Sequence, residues 1–410
     1  MNFCATKGAI ENKGFSQSQW LLMKIKKHIL FFCCILAFSA NAQEKNWTLS
    51  GYVSGMPSGM MFSPNPESDW DFPSAEWQAL LHNRLNFGWQ INKDFRFDAG
   101  MRNRFIAGSE MMINPESISA DAGLVDLSWN YFSTNNTILN TTFDRLNFTF
   151  EKNKWKLQLG RQRINWGQTF VWNPNDIFNT YSFFDFDYPE RPGCDAFRTT
   201  YFHNATSSSE FAVSANHDKK VTAALLHRCN KKNVDYQLIA GVLTETDIVV
   251  GGALTSDYKG LNYRTELSYF HSIVETGHAP SLLAVSAGLD YIFKNQLMLQ
   301  TEILYNNVDT NNAGGLMAMY AAPLSAKNLS ISQWNVFTNA SYPVTPRLNG
   351  TLSGMYFVDI QSFYAGLSLD FSVAENLDFS FIAQYFSTLG NAALGDMHVL
   401  MGFARLKYSF

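Results

Sequence analysis

Arginines recur on one parity of the early segments: Arg84, then Arg96, Arg102 and Arg104, joined later by Arg145 and Arg198. Even spacing puts side chains on one face of an extended strand. Fixed guanidiniums along a wet wall favour anions and hydroxyl- or carboxylate-bearing solutes, through charge and forked hydrogen bonds. Acids recur in the same way further along, at Glu266, Asp290, Glu302, Asp370 and Asp378. Placed opposite the arginines across a lumen, they would set up a transverse field. Nothing in the chain reads as catalysis. His82, His203, His217, His227, His271, His278 and His398 are scattered, and none lies in a hydrolase-type serine motif. No Cys/His metal spacing, phosphate-cradling loop or dinucleotide fingerprint is present, so no enzyme, metal or cofactor is expected.

The second chemistry-bearing feature is the segment 165–195. It carries nine aromatics between Trp166 and Tyr188, interleaved with Asp176, Asp185, Asp187, Glu190 and Arg191. Some thirty residues without alternation exceed an ordinary hairpin connection and suggest a functional loop. Asn173-Pro174 suits the cap and first turn of a short helix. So many aromatics are not left in water. Folded inward, Trp166, Trp172, Asp176, Phe183, Phe184, Asp185 and Tyr188 would narrow a pore, and aromatic faces beside acids and arginines suit sugar rings. An outer loop packed on itself is the alternative placement.

Positioning such residues requires a wall, and the rest of the chain supplies one. Segments of about ten residues alternate apolar and polar with period two, as for strands facing lipid on one side and water on the other. Leu81, Leu85, Phe87 and Trp89 oppose His82, Arg84, Asn86 and Gln90; Phe95, Phe97, Ala99, Met101 and Phe105 oppose the early arginines. The same holds for Leu283–Phe293, Leu297–Tyr305, Phe363–Phe371 and Leu377–Tyr385. Trp89, Tyr291, Tyr305, Tyr342 and Tyr385 sit at the ends of apolar faces, where interfacial girdles belong. Short polar turns alternate with longer connections, predicting turns on one rim and loops on the other. One stretch breaks the pattern. Strict alternation puts Arg161 and Arg163 on the outer face with Trp155, Leu157 and Leu159, where a charge in mid-membrane costs roughly 2–4 kcal/mol. A bulge at Gly160 that reverses parity is the reading adopted, over a position above the lipid.

Composition agrees. The 410 residues are 46% apolar, 15% aromatic and only 16% charged, with formal net charge −4. That is too apolar for disorder and too weakly charged for nucleic-acid binding. After residue 42 no run approaches the ~18 apolar residues of a spanning helix. From Met23 a basic stretch, the apolar run Ile29–Phe38 and Ala40-Asn41-Ala42 match a cleaved secretory signal peptide, with residues 1–22 an upstream extension. Its removal takes five of the 31 basic and one of the 35 acidic residues, leaving a formal charge of −8. Cys194 and Cys229 remain, and their pairing stays open. At roughly 20–22 residues per strand with its connection, residues 43–410 make one domain of 16 or 18 strands, the uncertainty lying at 124–132 and 208–255.

The chain closes on Leu406, Tyr408 and Phe410 on one face. A last strand ending in Phe resembles the C-terminal signal by which Gram-negative outer-membrane barrels are recognised for assembly. The run Gly160-Arg161-Gln162 to Trp166-Gly167, followed by Asn173-Pro174 and the aromatic-acidic loop, is similar to barrels of the porin and alginate-export type. The resemblance implies an all-β transmembrane antiparallel barrel in the cell outer membrane, a passive channel for small hydrophilic, anionic or sugar-like solutes. Its partners would be outer-membrane lipid, the barrel-assembly machinery through Tyr408 and Phe410, and the solute itself; no nucleic acid is expected and the oligomeric state stays open. The rival expectation is a non-conducting barrel for surface binding or envelope and polysaccharide assembly. An inward segment 165–195 favours the channel, an outward one the rival.

Overall fold

The computed structural model describes residues 46–63, 75–110, 120–184, 188–273, 281–308, 325–388 and 397–410, with Ile113, Glu116, Ile118 and Phe186. The signal-peptide expectation for 1–42 and the assignment of Asp185 lie outside these residues. Among the described residues no helix is long and apolar enough to cross a membrane. The described chain is built, instead, almost wholly of strands.

The alternating segments become β1 (Trp47–Ser63), β2 (Ala75–Gln90), β3 (Phe95–Gly108), β4 (Ser128–Ser133), β5 (Thr137–Lys152) and β6 (Trp155–Gln162). After the long segment come β7 (Cys194–Asn204), β8 (Ser207–Ala215), β9 (Val221–Lys231), β10 (Val234–Leu243), β11 (Asp247–Tyr258) and β12 (Leu261–Ser272). The rest are β13 (Leu282–Ile292), β14 (Met298–Asn306), β15 (Trp334–Thr345), β16 (Leu348–Phe357), β17 (Ser362–Ala374), β18 (Leu377–Thr388) and β19 (Met397–Ser409). Neighbours pair antiparallel throughout, and β1 pairs with β19 from Tyr52↔Ser409 to Ser63↔His398. Gly51 and Phe410 exchange backbone bonds at 3.0 and 2.9 Å, completing the seam. Closure of β1 on β19 means that the sheet does not end at either of these strands.

The wall is an all-β antiparallel barrel of eighteen strands, and β4 is an addition to it. Along one edge of β5, residues 146–152 pair with β6 while 138–142 pair with β4. The two short strands share one place in the wall, β4 above and β6 below. The other doubtful region, 208–255, holds four strands, β8 to β11.

Short turns follow β2, β5, β7, β9, β11, β13, β15 and β17, on the rim that also carries Trp47 and Phe410. The long connections lie on the opposite rim, as expected. Outward side chains form an apolar band: Leu238 is 67% exposed, Leu159 61% and Leu225 58%, values that fit lipid and not water. Aromatic pairs edge the band, Trp155–Tyr201 and Tyr291–Phe293 at the turn rim, Tyr305–Trp334 and Phe363–Tyr385 at the loop rim.

Gly160 departs from the bulge expectation. Its φ is +113°, yet the ladders to β5 and β7 pass through it without a register shift. A Cβ there would stand 2.3 Å from the Leu146 carbonyl oxygen, so only glycine fits. Arg161 keeps its place in the row of Leu157 and Leu159 and is 3% exposed because residues 121–125 cover it. It donates to Asp121 (2.5 Å), Asp195 (2.8 Å) and the Val125 carbonyl (2.6 Å). Paired and hydrogen-bonded on all sides, the charge escapes the membrane penalty without changing sides. Arg163 lies beyond the end of β6. The bulge falls elsewhere, in the β3–β5 ladder, where Asp144 is the extra residue between partners of Met101 and Gly100.

Candidate functional site

The described residues of 163–193 turn into the barrel and form an insert at mid-height. Their apolar side chains pack on inward-facing wall residues: Ile164, Trp166, Val171, Trp172 and Ile177 join Leu226, Ile239, Val249, Phe270, Leu304 and Phe337 in one buried cluster. Trp166 is fully buried and donates its indole N–H to Glu210 on β8 (2.5 Å). Phe170 and Phe183 meet Phe337 on β15, and Phe184 meets Tyr364 on β17 and Phe386 on β18. Asn173-Pro174 opens a turn closed by Asp176 N–H to the Asn173 carbonyl (3.1 Å), where a helix had been expected. Two stretches of insert backbone close over carboxylates here, which a continuous helix would not permit.

Two wall glutamates hold that backbone. Glu302 on β14 accepts N–H bonds from Phe170 (2.8 Å), Val171 (3.0 Å) and Trp172 (2.7 Å), and a hydroxyl bond from Ser286 (3.0 Å). Glu266 on β12 accepts from the amides of Gln168, Thr169 (2.6 Å) and Asn175 (3.0 Å), and from the Thr169 hydroxyl (2.9 Å). Loop amides that would otherwise be buried without partners thus end on carboxylates, the stronger class of hydrogen bond. Asp176 is itself fully buried in the insert, and burial pushes its carboxyl up to about 7.

Arginines hold the other half. Arg84 is buried and binds Asp144 through two bonds (2.6 and 2.9 Å). Asp144 also accepts the hydroxyl of Tyr188, and burial followed by that neighbouring charge pushes the Tyr188 phenol up. The Arg102 guanidinium lies 3.3 Å from the centre of the Tyr188 ring. Arg145 donates to the carbonyls of Glu190 (2.5 Å) and Arg191 (2.9 Å), while Tyr52 on β1 donates to Glu190 (3.1 Å). Phe186 packs on Phe403 of β19, and Arg405 donates to its carbonyl (3.3 Å).

This placement differs from a row of wet guanidiniums. Arg84, Arg102 and Arg145 are spent on the insert, Arg104 on Asn140 and the Ile118 carbonyl, and Arg198 on Glu210. Arg96 alone of the six stands half-exposed, beside Asp98 (2.7 Å). The acids divide likewise. Glu266 and Glu302 lie beneath the insert, Asp290 pairs with Arg264 (2.5 Å), Asp370 takes the hydroxyls of Ser368 and Ser380, and Asp378 is exposed near the turn rim. The carboxylate-to-amide clamps were not foreseen, because their partners are backbone groups that no residue type announces. Tyr52, Asp144 and Glu210 were also missed, and Glu190, named within the aromatic segment, was given no role there.

Two polar cavities lie on the turn side of the insert. One, of about 700 Å³, is lined by Lys93, Arg96, Asp98, Glu151, Lys156 and Gln158, among others. The second, about 470 Å³, is floored by Asn165 and Gln168 of the insert and walled by Arg228, Gln237 and Thr255. Cys229 lines this cavity, and it and Cys194 are both free thiols.

No family model matches the sequence, and no curated protein matches it. Solved structures do match in fold. Acinetobacter baumannii OccAB1 aligns over 91% of this chain and 99% of its own, at 8% identity and TM-score 0.53. Pseudomonas aeruginosa OccK5 (OpdH) aligns over 90% and 100%, at 10% identity and TM-score 0.55. The outer membrane protein OprD from Pseudomonas aeruginosa aligns over 88% and 94%, at 9% identity and TM-score 0.52. The chain has the fold of the eighteen-stranded outer-membrane porins.

Proposed function

We propose that this barrel sits in the outer membrane and works as a passive channel for small hydrophilic solutes, with residues 163–193 as its constriction. The observation that carries this is the inward insert, tied to the wall at mid-height by Glu266 and Glu302 and by the arginines around Asp144. A barrel that served only to present a binding loop would have no use for burying that loop in its own lumen. The apolar band with its two aromatic edges supports the lipid location, and the fold shared with outer-membrane porins agrees. Closure of the last strand on Phe410 supports entry through the assembly machinery.

The solute is proposed to be anionic or sugar-like, the class the alginate-export resemblance also implies. Support comes from the 700 Å³ cavity, where Lys93, Arg96, Lys152 and Lys156 face Asp98 and Glu151. Closely set charges of both signs offer forked donors and acceptors to hydroxyls and carboxylates.

Conductance of the refolded mature chain in a planar bilayer tests the proposal, with selectivity read from the reversal potential in a salt gradient. Stable steps that lose anion preference in Arg96→Ala support it. A folded barrel that never conducts, even with the insert's 168–190 stretch replaced by a Gly/Ser linker, refutes the channel and leaves surface binding or envelope assembly.

A further inference from the structure

Among the described residues four histidines, His203, His227, His271 and His398, stand on the outer side of the wall, at the edges of the apolar band, and each meets a hydroxyl. At the loop rim His271 is 3.1 Å from Ser281 Oγ, and His398 is 2.9 Å from the Tyr385 hydroxyl and 3.1 Å from Ser387 Oγ. The densest group is at the turn rim. Ser209 Oγ on β8 lies 2.8 Å from His203 Nε2 on β7 and 3.0 Å from His227 Nδ1 on β9. The three residues come from adjacent strands, on the parity that carries the exposed Phe211 and Leu225. Both rings are exposed. Tyr201 packs edge-on against His203, and Lys154 Nζ donates to the His203 carbonyl (3.1 Å), which brings a cation to the same corner.

We infer that His203, Ser209 and His227, with Lys154, form a site for the phosphodiester headgroup of a phospholipid in the leaflet at the turn rim. This rests on the outer-membrane reading above. Polar side chains at the edge of a lipid band meet headgroups, not acyl chains. The shared serine fixes both rings: its hydroxyl donates to one and accepts an N–H from the other, so the ring that takes the hydroxyl proton keeps an N–H, Nδ1 of His203 or Nε2 of His227, for an outside acceptor. The ligand must be anionic and rich in acceptor oxygens to engage that N–H and the Lys154 ammonium together. A phosphodiester has that chemistry; the ester and hydroxyl groups of a neutral lipid do not.

The hydroxyl–imidazole contact also resembles a nucleophile beside its base. Acyl hydrolysis needs, in addition, donors for a developing oxyanion. Here the backbone amides of β7, β8 and β9 around Ser209 belong to the ladders, apart from that of His203 at a register shift, and one amide is not an oxyanion hole, so binding is the favoured use.

The test is native mass spectrometry of the purified mature barrel, mixed in detergent with dioleoyl-phosphatidylglycerol or with dioleoylglycerol. The expected result is retention of the phospholipid and not of the diacylglycerol. In His203→Ala/His227→Ala, retention falls at least fivefold while the barrel keeps its heat-modifiable migration; His203→Gln/His227→Gln replaces that variant if it does not fold. Equal retention by wild type and variant, or of lipid with and without phosphate, overturns the headgroup site while leaving the membrane reading intact. Displacement of the lipid by millimolar inorganic phosphate overturns the lipid assignment. Release of lysophospholipid overturns binding in favour of hydrolysis at Ser209. A wild-type barrel that retains neither lipid and does not enter phosphatidylcholine vesicles overturns the membrane reading and this inference together.

Discussion

Asp144 is at once the bulge residue of the β3–β5 ladder and the carboxylate to which Arg84 binds through two bonds of 2.6 and 2.9 Å. The bulge lets two successive residues face the lumen. Asp144 takes Arg84 and Tyr188, while Arg145 takes the insert's carbonyls. A local irregularity of one strand therefore sets the position of a segment more than forty residues away.

Breaking that pair alone should be severe. Arg84→Met leaves a buried, uncompensated carboxylate, a loss of about 3–5 kcal/mol. Arg84→Met with Asp144→Leu should recover part of it, since neither charge is then buried alone. Urea midpoints of the barrel in detergent check this; equal midpoints for the single and double variants would show the pair to be uncoupled.

Glu302→Ala should loosen the constriction without unfolding the wall. Three insert amides lose their acceptor, each at about 1–3 kcal/mol, and the insert should leave its seat part of the time. Larger and noisier single-channel steps are expected, together with new protease cleavage between residues 166 and 176. Unchanged steps and unchanged cleavage would mean that the apolar cluster alone seats the insert.

Arg96→Ala and Arg102→Ala should separate cleanly. Arg96 is half-exposed in the turn-side cavity, so its loss should move the reversal potential toward cations. Arg102 is buried against Tyr188, so its loss should lower the urea midpoint and hardly touch selectivity. Selectivity changes of equal size would contradict this division.

The buried carboxyl of Asp176 gives the insert a pH dependence of known sign. Burial raises its folded value to about 7 from an ordinary 3.8. Between those limits the docked insert holds a proton that the undocked one releases. Stability from this group is therefore full below about pH 4 and is lost as pH rises to about 7, by about 1.4 kcal/mol per pH unit at most. Asp176→Asn should remove this group's share of the slope and equal or exceed the wild type at pH 8. Fluorescence of Trp166 and Trp172 during urea titration at pH 5 and pH 8 measures it.

The wall was readable from the sequence because lipid and water impose period two on every strand, and Leu81, Phe97 or Leu289 could face only one way. What escaped is whatever depends on backbone. The Asp144 bulge shifts no residue type, and the glutamate clamps bind amides that every residue possesses. Arg161 was read as needing a reversal of parity, since the cover from residues 121–125 comes from a distant stretch with no pattern of its own. The early arginines follow the alternation of their strands, but pairing decides their use. Charge on a lumen wall is available to a solute only if the protein has not already claimed it.

The shared place of β4 and β6 has a consequence for any attempt to redesign the passage. The chain leaves the wall at Gln162 to enter the lumen, and the vacated upper half of that stave is filled by Ser128–Ser133. Two segments thus compete for one edge of β5. Drawing the insert back into the sheet, by extending β6 past Arg161 with strand-forming residues, would not simply widen the bore; it would evict β4 and with it the cover over Arg161. A wider bore is reached by shortening the insert between Trp166 and Tyr188 together with Glu266→Gln and Glu302→Gln, since these wall carboxylates would otherwise lose their amide partners.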